Sequence, residues 1–163
     1  MDNWDNLFEL IKRIIFSFEK TGGKGLPLGN VTSQLFSDIY LNELDQFVKH
    51  ELKAKYYIRY CDDFVILNDS LDYLDYCLDK IRDFCSENLL VNLHPDKVEI
   101  RKLKTGVDFL GYVSLPHYRV LRTKTKRRML NRVSTKNVAS YLGMLKHCKG
   151  EKIEEQISRL FFD

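Results

Sequence analysis

The sequence predicts an α+β fold: a small antiparallel sheet packed on helices, followed by a basic helical tail. Three patterns lead to it. The apolar runs 56–60 and 64–67 flank the adjacent carboxylates Asp62 and Asp63, the layout of two strands joined by a turn. Apolar residues recur at helical spacing over 32–52 and again over 71–85. Short β-rich runs separated by turn residues then occupy 89–121, and from Thr125 onward basic and apolar residues interleave as in helices.

Taken in order, the first element is an amphipathic helix over 4–18. Trp4, Leu7, Phe8, Ile11, Ile14, Ile15 and Phe18 share one face, with Lys12 and Arg13 off it, and Asp2 and Asp5 are charges at its N-terminal end. Residues 20–25 form a Gly-rich loop, and Pro27 keeps the next few residues extended. The helix over 32–52 carries Leu35, Phe36, Ile39, Tyr40, Leu44, Phe47, Val48 and Leu52, with Asn30 or Thr32 available as its cap. After the strand pair, Ser70 caps a third helix whose expected buried stripe is Leu71, Leu74, Leu78, Ile81, Phe84 and Cys85. Strands are expected over 89–93, 98–103 and 107–114, the last turning at Pro116-His117 into 118–121, and two or three helices follow.

At 163 residues and 44% hydrophobic, the chain can bury a real core, and one domain with a small helical appendage is expected. No stretch approaches the length of a membrane span, and the start Met1-Asp2-Asn3-Trp4-Asp5 is acidic where a targeting peptide is basic, so a cytoplasmic location is expected. Cys61, Cys77, Cys85 and Cys148 lack zinc-site spacing and read as reduced thiols; Cys77 and Cys85 fall in a helical pattern as packing residues. Charge is distributed unevenly. Residues 1–108 hold 14 Lys/Arg against 19 Asp/Glu, whereas residues 109–150 hold 10 Lys/Arg and no acid. A solvated face ordinarily mixes both signs, so an acid-free basic run points to nucleic-acid phosphates.

The chemistry concentrates in Tyr60-Cys61-Asp62-Asp63. A hairpin would present both carboxylates from a stiff, half-buried sheet, as oxygen ligands for a hard cation; alternatively, Asp is a favoured turn residue and the pair is only solvated. Upstream, Gly25 and Gly29 in Gly25-Leu26-Pro27-Leu28-Gly29-Asn30-Val31-Thr32-Ser33-Gln34 leave backbone N–H groups open to a close-lying ligand at a helix N-terminus, or simply form a turn. Gln34, one turn into that helix, either aims its amide at the loop or is an exposed polar residue.

These two segments, followed in order by Leu93-His94-Pro95-Asp96-Lys97, by Val107-Asp108-Phe109-Leu110-Gly111-Tyr112 and by Ser140-Tyr141-Leu142-Gly143-Met144-Leu145-Lys146-His147, resemble the palm and thumb root of bacterial-type reverse transcriptases. The resemblance runs from about residue 8 to about residue 150. The wording of residues 25–34 and of Tyr40-Leu41-Asn42-Glu43-Leu44-Asp45 is most similar to enzymes of diversity-generating retroelements, then to those of group II introns and retrons. The resemblance implies an RNA-directed DNA polymerase with a palm-like antiparallel sheet and a helical thumb. It assigns Asp62 as the firm Mg²⁺ ligand and Asp63 as the weaker one, with Mn²⁺ as an alternative cation and Tyr60 and Phe64 anchoring the hairpin. Lys97 corresponds to a lysine near the departing pyrophosphate, although a lysine after a turn is otherwise a surface residue. Gly25, Pro27, Gly29 and Gln34 correspond to the loop for nucleotide and template. Phe109, Leu110 and Gly111 correspond to the primer grip, although Phe109 and Leu110 equally suit a core. Arg119, Arg122, Lys124, Lys126, Arg127, Arg128 and Arg132 are expected on the backbone of an RNA–DNA hybrid, with a dNTP as the second substrate.

One family feature has no counterpart in the sequence. Such enzymes carry a further metal-binding aspartate in an aromatic frame upstream of the Gly-Leu-Pro-Leu-Gly loop, after a fingers domain; Asp2 and Asp5 lack that frame. The expectation is a partial palm over residues 1–121 and a basic thumb-like segment over 122–163, inactive alone. The alternatives are a non-catalytic remnant that binds nucleic acid or a partner protein, and a split enzyme whose fingers come from another chain. Self-association through uncovered surfaces is expected as well.

Overall fold

The computed structural model describes residues 3–16 and 31–161. Its architecture is mixed: six helices and two small antiparallel sheets, divided into two compact units at Val98/Glu99. The expected functional division at 121/122 falls inside the second unit, between its last strand and the helix that follows. No helix among the described residues is long and apolar enough to cross a membrane.

The first unit contains α1 (Asn3–Phe16), α2 (Val31–Gln46), the hairpin β1 (Tyr56–Tyr60) and β2 (Asp63–Leu67), and α3 (Leu71–Glu87). Its core is built from Leu44, Val48, Leu52 and Ala54 against Cys77, Ile81, Cys85 and Leu89. The Phe47 and Phe84 rings stack with centroids 4.2 Å apart. Burying a side chain such as Ile81 or Val48 contributes about 1.5–3 kcal/mol, so this seam holds α2 to α3. Ser70 caps α3 as expected, its hydroxyl accepting from the Tyr73 N–H.

Several expectations need correcting. The helix over 32–52 is α2 followed by a π-helical turn, Phe47–Glu51, which closes when Ala54 N–H reaches back to the Val48 carbonyl. Thr32 is the second residue of α2 and so not its cap, and Asn30 lies outside the described residues. Leu35, Ile39 and Tyr40, which recur at helical spacing with the core residues, are exposed, because only the C-terminal half of α2 meets the core. On α3 Leu71 is exposed rather than buried, whereas Cys77 and Cys85 pack inside as expected, in an i, i+4, i+8 row with Ile81. No strand forms over 89–93 or 98–103. Leu90 takes a positive φ of 51° just past α3, and the Val91 N–H bonds to the Cys85 carbonyl, so the chain there serves as a helix end.

In the second unit β3 (Val107–Phe109), β4 (Tyr112–Ser114) and β5 (Arg119–Leu121) form one antiparallel sheet, followed by α4 (Thr123–Arg132), α5 (Val138–Leu145) and α6 (Glu151–Phe161). The run 107–114 is thus two strands rather than one. Gly106, at φ 88°, precedes them; an added Cβ would lie 2.6 Å from Val113 Cγ1. Leu121, Met129, Leu145, Ile153 and Ile157 form the core. The tail contains three helices, the upper end of the expected number.

Candidate functional site

The strands β1 and β2 pair from Tyr56↔Leu67 to Tyr60↔Asp63, which leaves Cys61 and Asp62 as a two-residue loop. Asp62 and Asp63 are both exposed at this tip, so the hairpin brings the two expected ligands together. Cys61 has φ 52°, a left-handed conformation that costs a side-chain-bearing residue about 1–2 kcal/mol. Phe64 packs against the core, as the anchoring role requires; Tyr60 does not, since it is exposed beside the tip.

Alternation along β1 places Tyr56, Ile58 and Tyr60 outward and Tyr57 and Arg59 inward, the reverse of what polarity alone suggests. Arg59 finds its partners on α2. Its Nε donates to Asp45 Oδ1 at 2.8 Å and its Nη2 to Asp45 Oδ2 at 2.7 Å, a two-pronged pair. Its Nη1 donates to Asp38 Oδ1 at 3.1 Å and to the Cys61 carbonyl at 2.8 Å. The Tyr57 hydroxyl donates to Asp45 Oδ1 at 2.6 Å. Burial acts to raise the Asp45 carboxyl, but the hydrogen bonds from Arg59 and Tyr57 and the Arg59 charge outweigh it and hold the pKa below the ordinary carboxylate value. The hydrogen bond to Asp45 in turn keeps Arg59 charged, and burial together with that same carboxylate raises the Tyr57 phenol.

Sequence reasoning missed Asp38, Asp45, Tyr57 and Arg59. A signal existed: Arg59 is the only cation in the apolar run 56–60, and a cation turned toward a core needs a partner.

Lys97 ends a 3₁₀ turn, Pro95–Lys97, capped by His94, whose Nδ1 accepts from the Asp96 N–H. The side chain is exposed, and among the described residues no ion pair joins it to Asp62 or Asp63. Gln34 is exposed in the first turns of α2. Gly25, Pro27 and Gly29 lie outside the described residues.

In the second unit Phe109 pairs with Tyr112 across the loop residues Leu110 and Gly111, both at positive φ (53° and 84°), as a primed two-residue turn requires. Leu110 is therefore strained and also exposed, whereas Phe109 is half-buried. The Gly111 carbonyl accepts from the Arg122 N–H at 2.9 Å, which ties the turn to the start of α4. Leu110, Gly111, Arg122, Lys124, Thr125 and Arg128 line a cavity of about 330 Å³ with three cationic side chains.

The expected phosphate-binding residues divide into two kinds. Arg122 is already held by Asp108, its Nε donating at 2.7 Å, and Arg119 lies over the Tyr112 ring at 5.9 Å. Lys124, Lys126, Arg127, Arg128 and Arg132 are exposed on α4 and have no acidic partner among the described residues.

The family profile "Reverse transcriptase (RNA-dependent DNA polymerase)" matches residues 3–114, more than half of the chain. The chain belongs to that family. A protein of Saccharomyces cerevisiae described as a putative COX1/OXI3 intron 2 protein is 39% identical over 61 residues. That stretch covers 37% of this chain and 7% of the yeast protein. The reverse transcriptase match ends with β4, so β5 and the basic helices lie beyond it.

Reverse transcriptases typically use a divalent metal, and the chemistry of the tip suits one. Mg²⁺ keeps several waters and takes one or two carboxylates plus substrate phosphates, and Asp62 and Asp63 are two exposed carboxylates open to both. Among the described residues no third Asp, Glu, His or Cys joins them.

Proposed function

We propose that the chain is the palm–thumb portion of an RNA-directed DNA polymerase, with residues 1–121 as a partial palm and residues 122–163 as a basic thumb-like segment. The observation that carries this is the β1–β2 hairpin, which presents Asp62 in its two-residue loop and Asp63 at the adjoining end of β2, both exposed and within the residues matched to the family. Asp62 and Asp63 hold Mg²⁺, or Mn²⁺ in its place; when bound, the metal supplies charge neutralisation at the phosphates of an incoming dNTP. Lys97 adds a positive charge for the leaving pyrophosphate. Gly25, Pro27, Gly29 and Gln34 serve nucleotide and template, and Phe109, Leu110 and Gly111 grip the primer. The exposure of Leu110 at the tip of the β3–β4 turn supports the grip, since it leaves an apolar side chain open to a primer. RNA template and DNA primer, or the hybrid they form, lie along Arg119, Arg122, Lys124, Lys126, Arg127, Arg128 and Arg132. The motif wording in 25–34 and 40–45 favours a retroelement enzyme of the diversity-generating kind, acting in the cytoplasm.

Primer extension on an RNA template tests the assignment. The 163-residue chain alone is expected to make no product with Mg²⁺ or Mn²⁺, because two carboxylates from one turn leave a metal pair short of protein oxygens. Adding a polypeptide that carries the family's upstream strand and fingers is expected to yield product that Asp62→Asn abolishes. Product from the chain alone that Asp62→Asn abolishes would instead place the further ligand at Asp2, at Asp5 or in a second protomer.

A specific observation favours partner binding beside catalysis. Trp4, Leu7, Phe8 and Leu10 of α1 are 44–68% exposed, and Tyr56, Ile58 and Tyr60 of the two-stranded hairpin are 56–57% exposed. Apolar surface and strand edges of this kind draw partners. Light scattering at tens of micromolar is expected to show self-association, or a mass shift on adding the fingers polypeptide. A clean monomer in both cases would exclude that use of these surfaces.

A further inference from the structure

We infer that Arg59 is a positioning residue: it couples the carbonyl of Cys61, in the candidate catalytic loop, to α2 through Asp45, and thereby fixes where Asp62 and Asp63 point. The inference rests on the metal-binding reading of those two carboxylates.

Four hydrogen bonds from one guanidinium reach three residues in two parts of the first unit: Asp45 and Asp38 on α2, and the Cys61 carbonyl in the loop. The Arg59 side chain is only 10% exposed, so these bonds are formed largely out of water. Cys61 occupies a left-handed conformation that favours glycine. Such a residue stays there only when its surroundings over-determine it. The Nη1 bond to the Cys61 carbonyl is one such constraint, and it acts on the peptide that leads directly into Asp62. Anchoring matters as much as reach: both Asp45 oxygens are engaged by Arg59, and the Tyr57 hydroxyl adds a third bond to the same carboxylate. The two α2 carboxylates also offset the Arg59 charge, so the brace does not place an uncompensated cation beside the candidate metal ligands.

Lysine cannot replace this fork. It keeps the charge but offers a single ammonium, which cannot hold both Asp45 oxygens and the Cys61 carbonyl together. Nuclear magnetic resonance of the ¹⁵N-labelled full chain gives the first test. The Arg59 guanidinium is expected to rotate slowly and its Nε proton to resist exchange, in contrast to Arg82, whose side chain is 52% exposed. In Arg59→Lys the amide signals of Asp62 and Asp63 are expected to shift or broaden while those of α3 stay in place. Mn²⁺ titration, followed by water-proton relaxation, is expected to give a dissociation constant raised by about tenfold, the low end of the cost of losing a group that orients a metal ligand.

A purely stabilising role would lower the thermal midpoint but leave the loop signals and the Mn²⁺ affinity of the folded protein unchanged; that result would overturn the inference. So would free rotation of Arg59 in the wild-type chain, a measurement that stands even if Arg59→Lys fails to fold. If Mn²⁺ binding by the wild-type chain is indifferent to Asp62→Asn, the metal reading fails, and the loop signals alone decide whether Arg59 braces the turn.

Discussion

Charge reversal at Arg127 and Arg128 together is expected to weaken binding of the chain to an RNA–DNA hybrid on the order of thirtyfold at 0.1 M salt, and to flatten the log affinity against log salt slope by about one to two units. The magnitude follows from counterion release: each phosphate contact contributes roughly 0.7–0.9 to the slope, or about sixfold in affinity at that salt. The placement follows from α4. Thr125 and Met129 are its buried residues, which leaves Lys124, Arg127 and Arg128 at i, i+3 and i+4 on a shared exposed face. The first turn of α4 contains no acid, so its lysines oppose the helix dipole, and Lys124 and Arg128 repel each other one turn apart. This arrangement is unfavourable for the free helix and favourable only when phosphates arrive. The double reversal should therefore leave the thermal midpoint unchanged or slightly higher, which separates lost binding from lost folding. Fluorescence anisotropy with a labelled hybrid over a salt series measures both quantities. Binding indifferent to the two arginines would assign the basic face to some other use.

Much of this site was legible before the fold because its signals are local. The β1–β2 hairpin announces itself through apolar runs on either side of Asp62 and Asp63, and Ser70 through the helical pattern that follows it. The strands expected over 89–93 and 98–103 do not form because residues of high strand propensity have no partner strand there; Leu90 instead turns at positive φ just past the C-cap of α3, Asn88. Leu71 shares the apolar face of α3 yet stays exposed, since spacing fixes a face but not which part of it meets the core. The contact between Arg59 and Asp45 joins positions 14 residues apart in different elements, so the lone cation in 56–60 signals that a partner is needed but not which residue supplies it. The primer-grip-like turn was readable from Gly111 alone, but Leu110 at φ 53° contradicts its own local preference.

Neutralising Asp45 removes the α2 partner of that same salt bridge. Asp45→Asn is expected to destabilise the first unit by roughly 3 kcal/mol at pH 7, the lower end of the cost of stripping one partner from a buried ion pair, because the Asp45 side chain retains 28% exposure. What is lost is more than one bond. The carboxamide has a single oxygen for the two donors of Arg59 and the hydroxyl of Tyr57, and Arg59 retains only the exposed Asp38 as a counter-charge. The pH dependence gives an independent signature. The folded-state pKa of Asp45 is lowered, so its stabilising contribution is present above the unfolded value near 3.9 and is lost as pH falls through the lower folded value. The gap between wild type and Asp45→Asn should therefore be flat from pH 7 to about pH 5 and narrow only below about pH 4, where the wild-type carboxyl also becomes neutral. Urea unfolding at pH 7, 5 and 3, followed by hydrogen exchange of amides in residues 31–98, resolves the first unit from the second. A loss below about 1 kcal/mol at pH 7 is the size expected of a solvated pair. That result, or a gap that persists undiminished at pH 3, would mean that water carries the charge of Arg59 and that α2 does not anchor the loop.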